Sequence, residues 1–193
     1  MKETVKSRRQ LKFDEINSLV EEIGTDSEEE YLALPEEERE RRKDLFWDCL
    51  WGWLIDGWAA GLLFIGQDKD IPDLTNILNW VYPRGTTSDL YDKDITNKES
   101  LKRLIESEGN RCFNMGMLEA GKGENVLKTW ETMMDDRVRD THWYLEGMEI
   151  PMDEEFITFD GDSALAPGGF KDPQNNAGCR CYLTFRVNNG ESL

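Results

Sequence analysis

Glu106-Ser107-Glu108-Gly109-Asn110-Arg111-Cys112-Phe113-Asn114-Met115-Gly116 is the stretch on which the fold of this chain turns. It lies inside an apolar pattern, Leu101, Leu104, Ile105, Cys112, Met115 and Leu118, whose spacing predicts a helix from about Lys98 to Gly121. Thr96-Asn97-Lys98-Glu99 ahead of it has the form of a capping box, and Gly121-Lys122-Gly123 ends it. Glu108, Arg111 and Asn114 recur at three-residue steps on one helix face. A carboxylate, a guanidinium and an amide on one stripe predict a buried polar network that pins this helix to another element. A ligand site is the alternative reading of the same stripe.

Downstream the periodicity changes. Val126 to Trp130 alternates loosely and reads as a strand, Asp135 to Leu145 as a short helix, and Gly147 to Phe159 as extended chain. Ala166 to Gly178 is a Pro/Gly/Asn loop, and Tyr182 to Val187 alternates as a terminal strand. Upstream, Leu11, Ile16, Leu19, Val20 and Ile23 have helical spacing, closed by Gly24. Thr25-Asp26-Ser27 before Glu28-Glu29-Glu30 supplies a new helix start, and Pro35 opens another that runs to about Ile65. Gly66 to Asp94 is irregular, with Pro72, Pro83-Arg84-Gly85 and one short helix expected at Leu74 to Val81. The expected class is α+β: a mainly helical region over residues 1–95 with a Trp-rich helix, then a small mixed module over 96–193.

Phe46 to Ile65 is apolar except for Asp48 and Asp56. Each aspartate at mid-membrane would cost about 2.5–3.5 kcal/mol, so a buried core helix with no membrane contact is expected. Gly57 and Gly61, one turn apart, predict close packing of a second helix. Trp47, Trp51, Trp53 and Trp58 crowd this segment. They read as core or partner-helix packing, with Trp47, Trp51 and Trp58 as interface candidates and base stacking as the alternative.

With 23 Lys and Arg against 40 Asp and Glu, the net charge of −17 repels nucleic acid at long range. Any DNA contact would fall on the basic stretches Lys6-Ser7-Arg8-Arg9 or Arg39 to Lys43, which also fit solvated helix faces. Met1-Lys2-Glu3-Thr4 leads into charge, so no signal peptide is expected. The four cysteines are too sparse for a disulfide scaffold and fit a reducing compartment.

Several of these pieces together resemble the phage Mu protein F-like head-morphogenesis family. They are the Glu108/Arg111/Asn114 helix, Lys128-Thr129-Trp130, and Asp136-Arg137-Val138-Arg139-Asp140-Thr141-His142 followed by Leu145-Glu146-Gly147. Phe156, Pro173 and Cys179-Arg180-Cys181 follow in order, so the resemblance spans about Lys98 to Phe185. It implies a minor protein of a bacteriophage head, assembled in the bacterial cytoplasm and carried in the virion. It also implies portal or major capsid protein as partner, and a part in capsid assembly or in DNA packaging and delivery. Some members are joined to ADP-ribosyltransferase modules. The Ser-Thr-Ser of such modules is missing here, so no enzyme is expected.

His142 is the single histidine. On extended chain Cys179 and Cys181 point the same way, and two thiols with one imidazole make three ligands suited to zinc. The resemblance implies two cysteines and a histidine in some relatives where this chain has Arg139, His142 and Asn176, so it departs from the full ligand set and a fourth donor here would be Asp136, Asp140 or water. The other reading packs both cysteines as small buried groups, while Arg139 and Arg180 pair with Asp136, Asp140 or Glu108. A zinc hydrolase with Glu154 or Asp160 as base is the enzymatic alternative, without a His-Glu-x-x-His signature.

Overall fold

The computed structural model describes residues 2–77 and 96–188, the backbone alone at 2–11 and 13. Helix α1 (Lys2–Ile23) buries Ile16, Val20 and Ile23, positions four and three apart on one face. Its last carbonyls, those of Ile23 and Gly24, accept from Arg42 Nη1 at 3.1 Å each. Ser27 caps α2 (Glu28–Ala33), its hydroxyl accepting from the Glu30 N–H at 3.2 Å. Pro35 precedes α3 (Glu36–Ile65), whose three glutamates in the first turn suit the helix dipole. Gly66 ends it in the left-handed conformation, φ 67°.

Helix α4 (Lys98–Gly121) begins one residue later than a Thr96 cap would place it. Asn97 is the cap, accepting from the Glu99 and Ser100 N–H groups at 3.0 and 3.1 Å. Thr96 is committed elsewhere: its carbonyl accepts from Thr25 Oγ1, and Lys98 N–H donates to the Thr25 carbonyl. The helix start is therefore tied to the α1–α2 turn.

Helices α3 and α4 cross with their backbones in contact. A Cβ on Gly57 would lie 1.9 Å from the Phe113 carbonyl oxygen, and one on Gly116 would lie 2.1 Å from that of Leu54. Gly61 meets Ala120, and Gly109 receives the Trp53 indole. The apolar half of α3 has the length and composition of a membrane-crossing helix. Here Phe46, Leu50, Trp53, Leu54, Trp58 and Ala60 are buried inside the protein. Asp56 pairs with Lys12 at 3.1 Å and Asp48 faces solvent, so neither aspartate interrupts the core. Trp58 does not offer an interface: it is 5% exposed, because its backbone lies against Gly116 at the crossing. Trp47 and Trp51 are half-buried.

The α+β class is as expected. Strand β1 (Val126–Glu131) is central in an antiparallel sheet of order β2-β1-β5, with β2 at Glu149–Pro151 and β5 at Tyr182–Val187. Every residue of β1 is buried. Phe185 on β5 meets Phe64 of α3 edge-on at 6.2 Å. Short helix α5 is Asp140–Trp143 only, since Asp135 to Val138 forms a turn. The expected extended run from Gly147 to Phe159 is broken by a turn between β2 and β3 (Phe156–Ile157), which pairs with β4 (Ser163–Ala164). The Pro/Gly/Asn loop contains α6 (Pro173–Asn176), capped by Asp172. The regions on either side of residue 95 share one continuous core, from Ile16 through Trp53 and Phe113 to Phe185. The basic side chains of Lys6 to Arg9, the segment Pro83-Arg84-Gly85 and most of the expected helix at Leu74 to Val81 lie outside the described residues.

Gly57→Ala is expected to lower stability by about 3 kcal/mol or more, since backbone rather than a flexible side chain must move. Gly52→Ala, where the nearest neighbour is the flexible Lys12 ammonium at 3.3 Å, is expected to be neutral or to stabilise by up to about 1 kcal/mol. Urea unfolding of the two variants checks the contrast.

Candidate metal centre

The site is built from α4 outward. Asn110 and Asn114, one turn apart and both buried, face the segment before β5. The Asn110 amide donates to the carbonyls of Cys179 and Cys181 at 2.9 and 3.0 Å. The Asn114 amide donates to the Cys181 and Asn110 carbonyls at 3.1 and 2.9 Å, and its oxygen accepts from the Leu183 N–H at 3.0 Å. Two side-chain amides thus stand in for a neighbouring strand and satisfy backbone groups of the segment before β5 and of the open edge of β5 itself.

With the backbone held from that side, both sulfurs converge on His142 of α5. Its Nδ1 lies 3.7 Å from Cys179 Sγ and 3.5 Å from Cys181 Sγ, and the three donor atoms lie within 4.8 Å of one another. All three residues are buried. Cys181 beside it, followed by His142, holds the Cys179 thiol well below its ordinary range, against the upward push of burial. Phe170 stacks on the imidazole at 5.4 Å and Trp130 meets it edge-on at 5.5 Å. Asn176 bonds both the N–H and the carbonyl of Phe170 at 2.9 and 2.7 Å. It therefore positions the ring that covers His142 rather than the donor set itself.

Tetrahedral zinc with one nitrogen and two sulfur donors has N···S edges of about 3.5–3.6 Å, from bond lengths near 2.0 and 2.3 Å. The two N···S distances, 3.7 and 3.5 Å, are close to those edges. A cavity of about 10 Å³ adjoins the donors, lined by Met133, Arg137, Val138, Arg139, Gly178 and Arg180 besides them. That is room for one water or one donor atom. Asp136 and Asp140 do not line it, and both are exposed, so neither is placed as a fourth ligand. Glu154 and Asp160 lie outside it as well.

The polar stripe divides into separate parts. Arg180 forks onto Asp135, not Asp136, at 2.8 and 2.6 Å. Asp135 also accepts the Arg137 N–H, which locks its carboxylate into the turn while Asp136 points outward. Hydrogen bonding to Arg180 keeps the Asp135 carboxyl below its ordinary range. Arg139 bonds the Ala177 carbonyl. Glu108 and Arg111 make a looser pair at 3.8 Å, and burial raises the Glu108 carboxyl against the pull of Arg111. Asn114 works with Asn110 rather than with these two. The signal for Asn110 was present as a pair of asparagines four apart, the spacing that aligns neighbours on a helix.

Lys128 on β1 is fully buried. Its ammonium donates to the Met152 and Leu165 carbonyls at 3.1 and 2.9 Å and lies 5.3 Å from the Phe156 ring centre. Burial pushes its pKa down to about 8. It ties the β2–β3 and β4 turns to the central strand.

Asn114→Leu keeps the branched shape but removes the acceptor of the Leu183 N–H and one of the two amide donors to the Cys181 carbonyl. The expected loss is about 1–3 kcal/mol in denaturant unfolding, from the stranded Leu183 N–H.

The sequence profile of the family described as Phage Mu protein F like protein matches residues 74–184. The minor head protein GP7 of Bacillus phage SPP1 is 33% identical over 85 residues, 42% of this chain and 28% of that protein. An Enterococcus faecalis protein named NAD(+)--arginine ADP-ribosyltransferase EFV is 40% identical over 106 residues, 52% of this chain and 21% of that protein. The matches thus span under a third of the length of these curated relatives. No solved structure matches the chain significantly. The helix of Asn114, the strand of Trp130, the turn before His142 and the Cys-Arg-Cys segment all fall within the matched span, and the chain belongs to the Phage Mu protein F-like family.

Proposed function

We propose that this chain is a minor structural protein of a bacteriophage head, acting in capsid assembly or portal-proximal DNA packaging and delivery through protein–protein contacts. The observation that carries this reading is the family match over residues 74–184, supported by the similarity to a minor head protein. Its place is then the virion, after assembly in the host cytoplasm, and its partners are the portal or major capsid protein. Tyr144 and Phe159, more than half exposed and in edge contact at 6.1 Å, supply a contact surface together with exposed Ile157. Aromatic side chains of this kind are common anchors in interfaces. Half-buried Trp47 and Trp51 are the second candidates.

DNA contact is a minor part of this reading. Arg41 and Arg42 both bond Glu38, and Lys43 bonds Glu40, so these charges of the Arg39–Lys43 stretch are compensated on their own helix. We read the chain as non-catalytic, because its match is to a family of phage head proteins and the Ser-Thr-Ser expected of transferase modules is missing from its residues.

Purified heads and procapsids analysed by mass spectrometry should contain the chain at low copy, and portal or major capsid protein should capture it. Absence from both particles together with failure to bind either protein would overturn the proposal.

We also propose that His142, Cys179 and Cys181 hold zinc as a structural cross-link between α5 and the segment before β5. The fit of the N···S distances to a tetrahedral ion supports it. Elemental analysis should give close to one zinc per chain, lost in Cys179→Ser. Less than about a tenth of an equivalent after mild purification would end this reading.

A further inference from the structure

We infer that the His142–Cys179–Cys181 centre takes its fourth donor from outside the chain, and that this donor is a carboxylate admitted past Arg137 and Arg139. The inference rests on the metal reading above and goes beyond it by naming the missing ligand. Three observations carry it.

The donor set ends at three. Among the described residues no further histidine, cysteine or carboxylate joins His142, Cys179 and Cys181. The cavity beside them is lined by arginines, Met133, Val138 and Gly178, with no carboxylate. Structural zinc ordinarily has four ligands, so one position is left to an exogenous group.

The charge at that position favours an anion. A divalent ion with two thiolates and a neutral imidazole is neutral overall. Of the three arginines that line the cavity, Arg180 is neutralised by Asp135. Arg139 bonds a neutral carbonyl, and Arg137 is exposed. Their positive field acts on a site whose three donors are buried, although its outer wall at Arg137 and Gly178 opens to solvent. A carboxylate can place one oxygen on the metal and offer the other to a guanidinium, an arrangement that neutral water cannot match.

The cavity also has an approach. Arg137 and Gly178 line both it and a groove of about 560 Å³, which continues past Ala177, Ser100, Arg103 and Ser107. A donor reaching the metal would arrive along this groove, either as a free small carboxylate or as an Asp or Glu side chain of a neighbouring protein.

The test uses the full chain loaded with cobalt(II), whose visible spectrum reports coordination. Sulfur-to-cobalt charge-transfer bands that vanish in Cys179→Ser establish the centre; without them the metal reading itself fails, and this inference with it. Given the bands, acetate and the peptide Gly-Glu-Gly are titrated separately. A saturable shift of the ligand-field bands is expected, with affinity about tenfold weaker in Arg137→Gln, the loss of one charge-assisted hydrogen bond. Arg139→Gln is expected to weaken it similarly, and Arg137 is exposed, so at least one variant retains the fold. A tighter response to the peptide than to acetate assigns the donor to a partner side chain. Equal responses assign it to a free carboxylate. Cobalt–thiolate bands that neither probe shifts, or a response that both arginine variants leave unchanged, would overturn the inference and leave the metal reading standing.

Discussion

Two helix backbones touch where Gly57 of α3 meets Phe113 and Gly116 of α4 meets Leu54. Nothing larger than hydrogen fits at either glycine, so the crossing sets the height of α4 over the rest of the molecule. Everything C-terminal is placed relative to that helix. The Trp53 indole closes over Gly109, Phe185 reaches Gly61 and Gly121, and the sheet lies against the same pair of helices. Close packing of this kind has few alternative solutions, because side-chain volume cannot be exchanged for a shift of backbone.

From α4 the order passes to the site through amides rather than charges. Asn110 and Asn114 bond the backbone of residues 179–183, which fixes the side on which both sulfurs emerge. His142 arrives from a different segment, held by the stacked ring of Phe170 and the edge of Trp130. The centre is therefore assembled by three independent supports: an amide pair, an aromatic box and the Arg180–Asp135 fork. A metal bound there would join segments already brought together, so its contribution is to lock an arrangement that packing has selected.

The chemistry of the family module and that of the appended helices are distinct. The N-terminal helices contribute core, Trp53 and Trp58 in particular, and present acidic and internally paired surfaces. The C-terminal module carries the polar centre and the exposed aromatic pair Tyr144 and Phe159. On the reading proposed above, the shared core would support that presented surface.

Much of this was legible from residues alone. Helical spacing showed α1, α3 and α4, alternation showed β1 and β5, the Gly57–Gly61 step announced tight helix packing, and the Cys-x-Cys spacing put two sulfurs on one side near His142. These follow from local periodicity, which any segment of a chain carries with it. Tertiary structure alone decided that Arg180 chooses Asp135 over its neighbour Asp136, that Asn110 rather than Glu108 joins Asn114, and that Trp58 is buried while Tyr144 is not. It also decided that no carboxylate of the described chain closes the His-Cys-Cys set. Each of these depends on how elements distant in sequence are set against one another, down to a choice between Asp135 and Asp136, which local pattern does not encode.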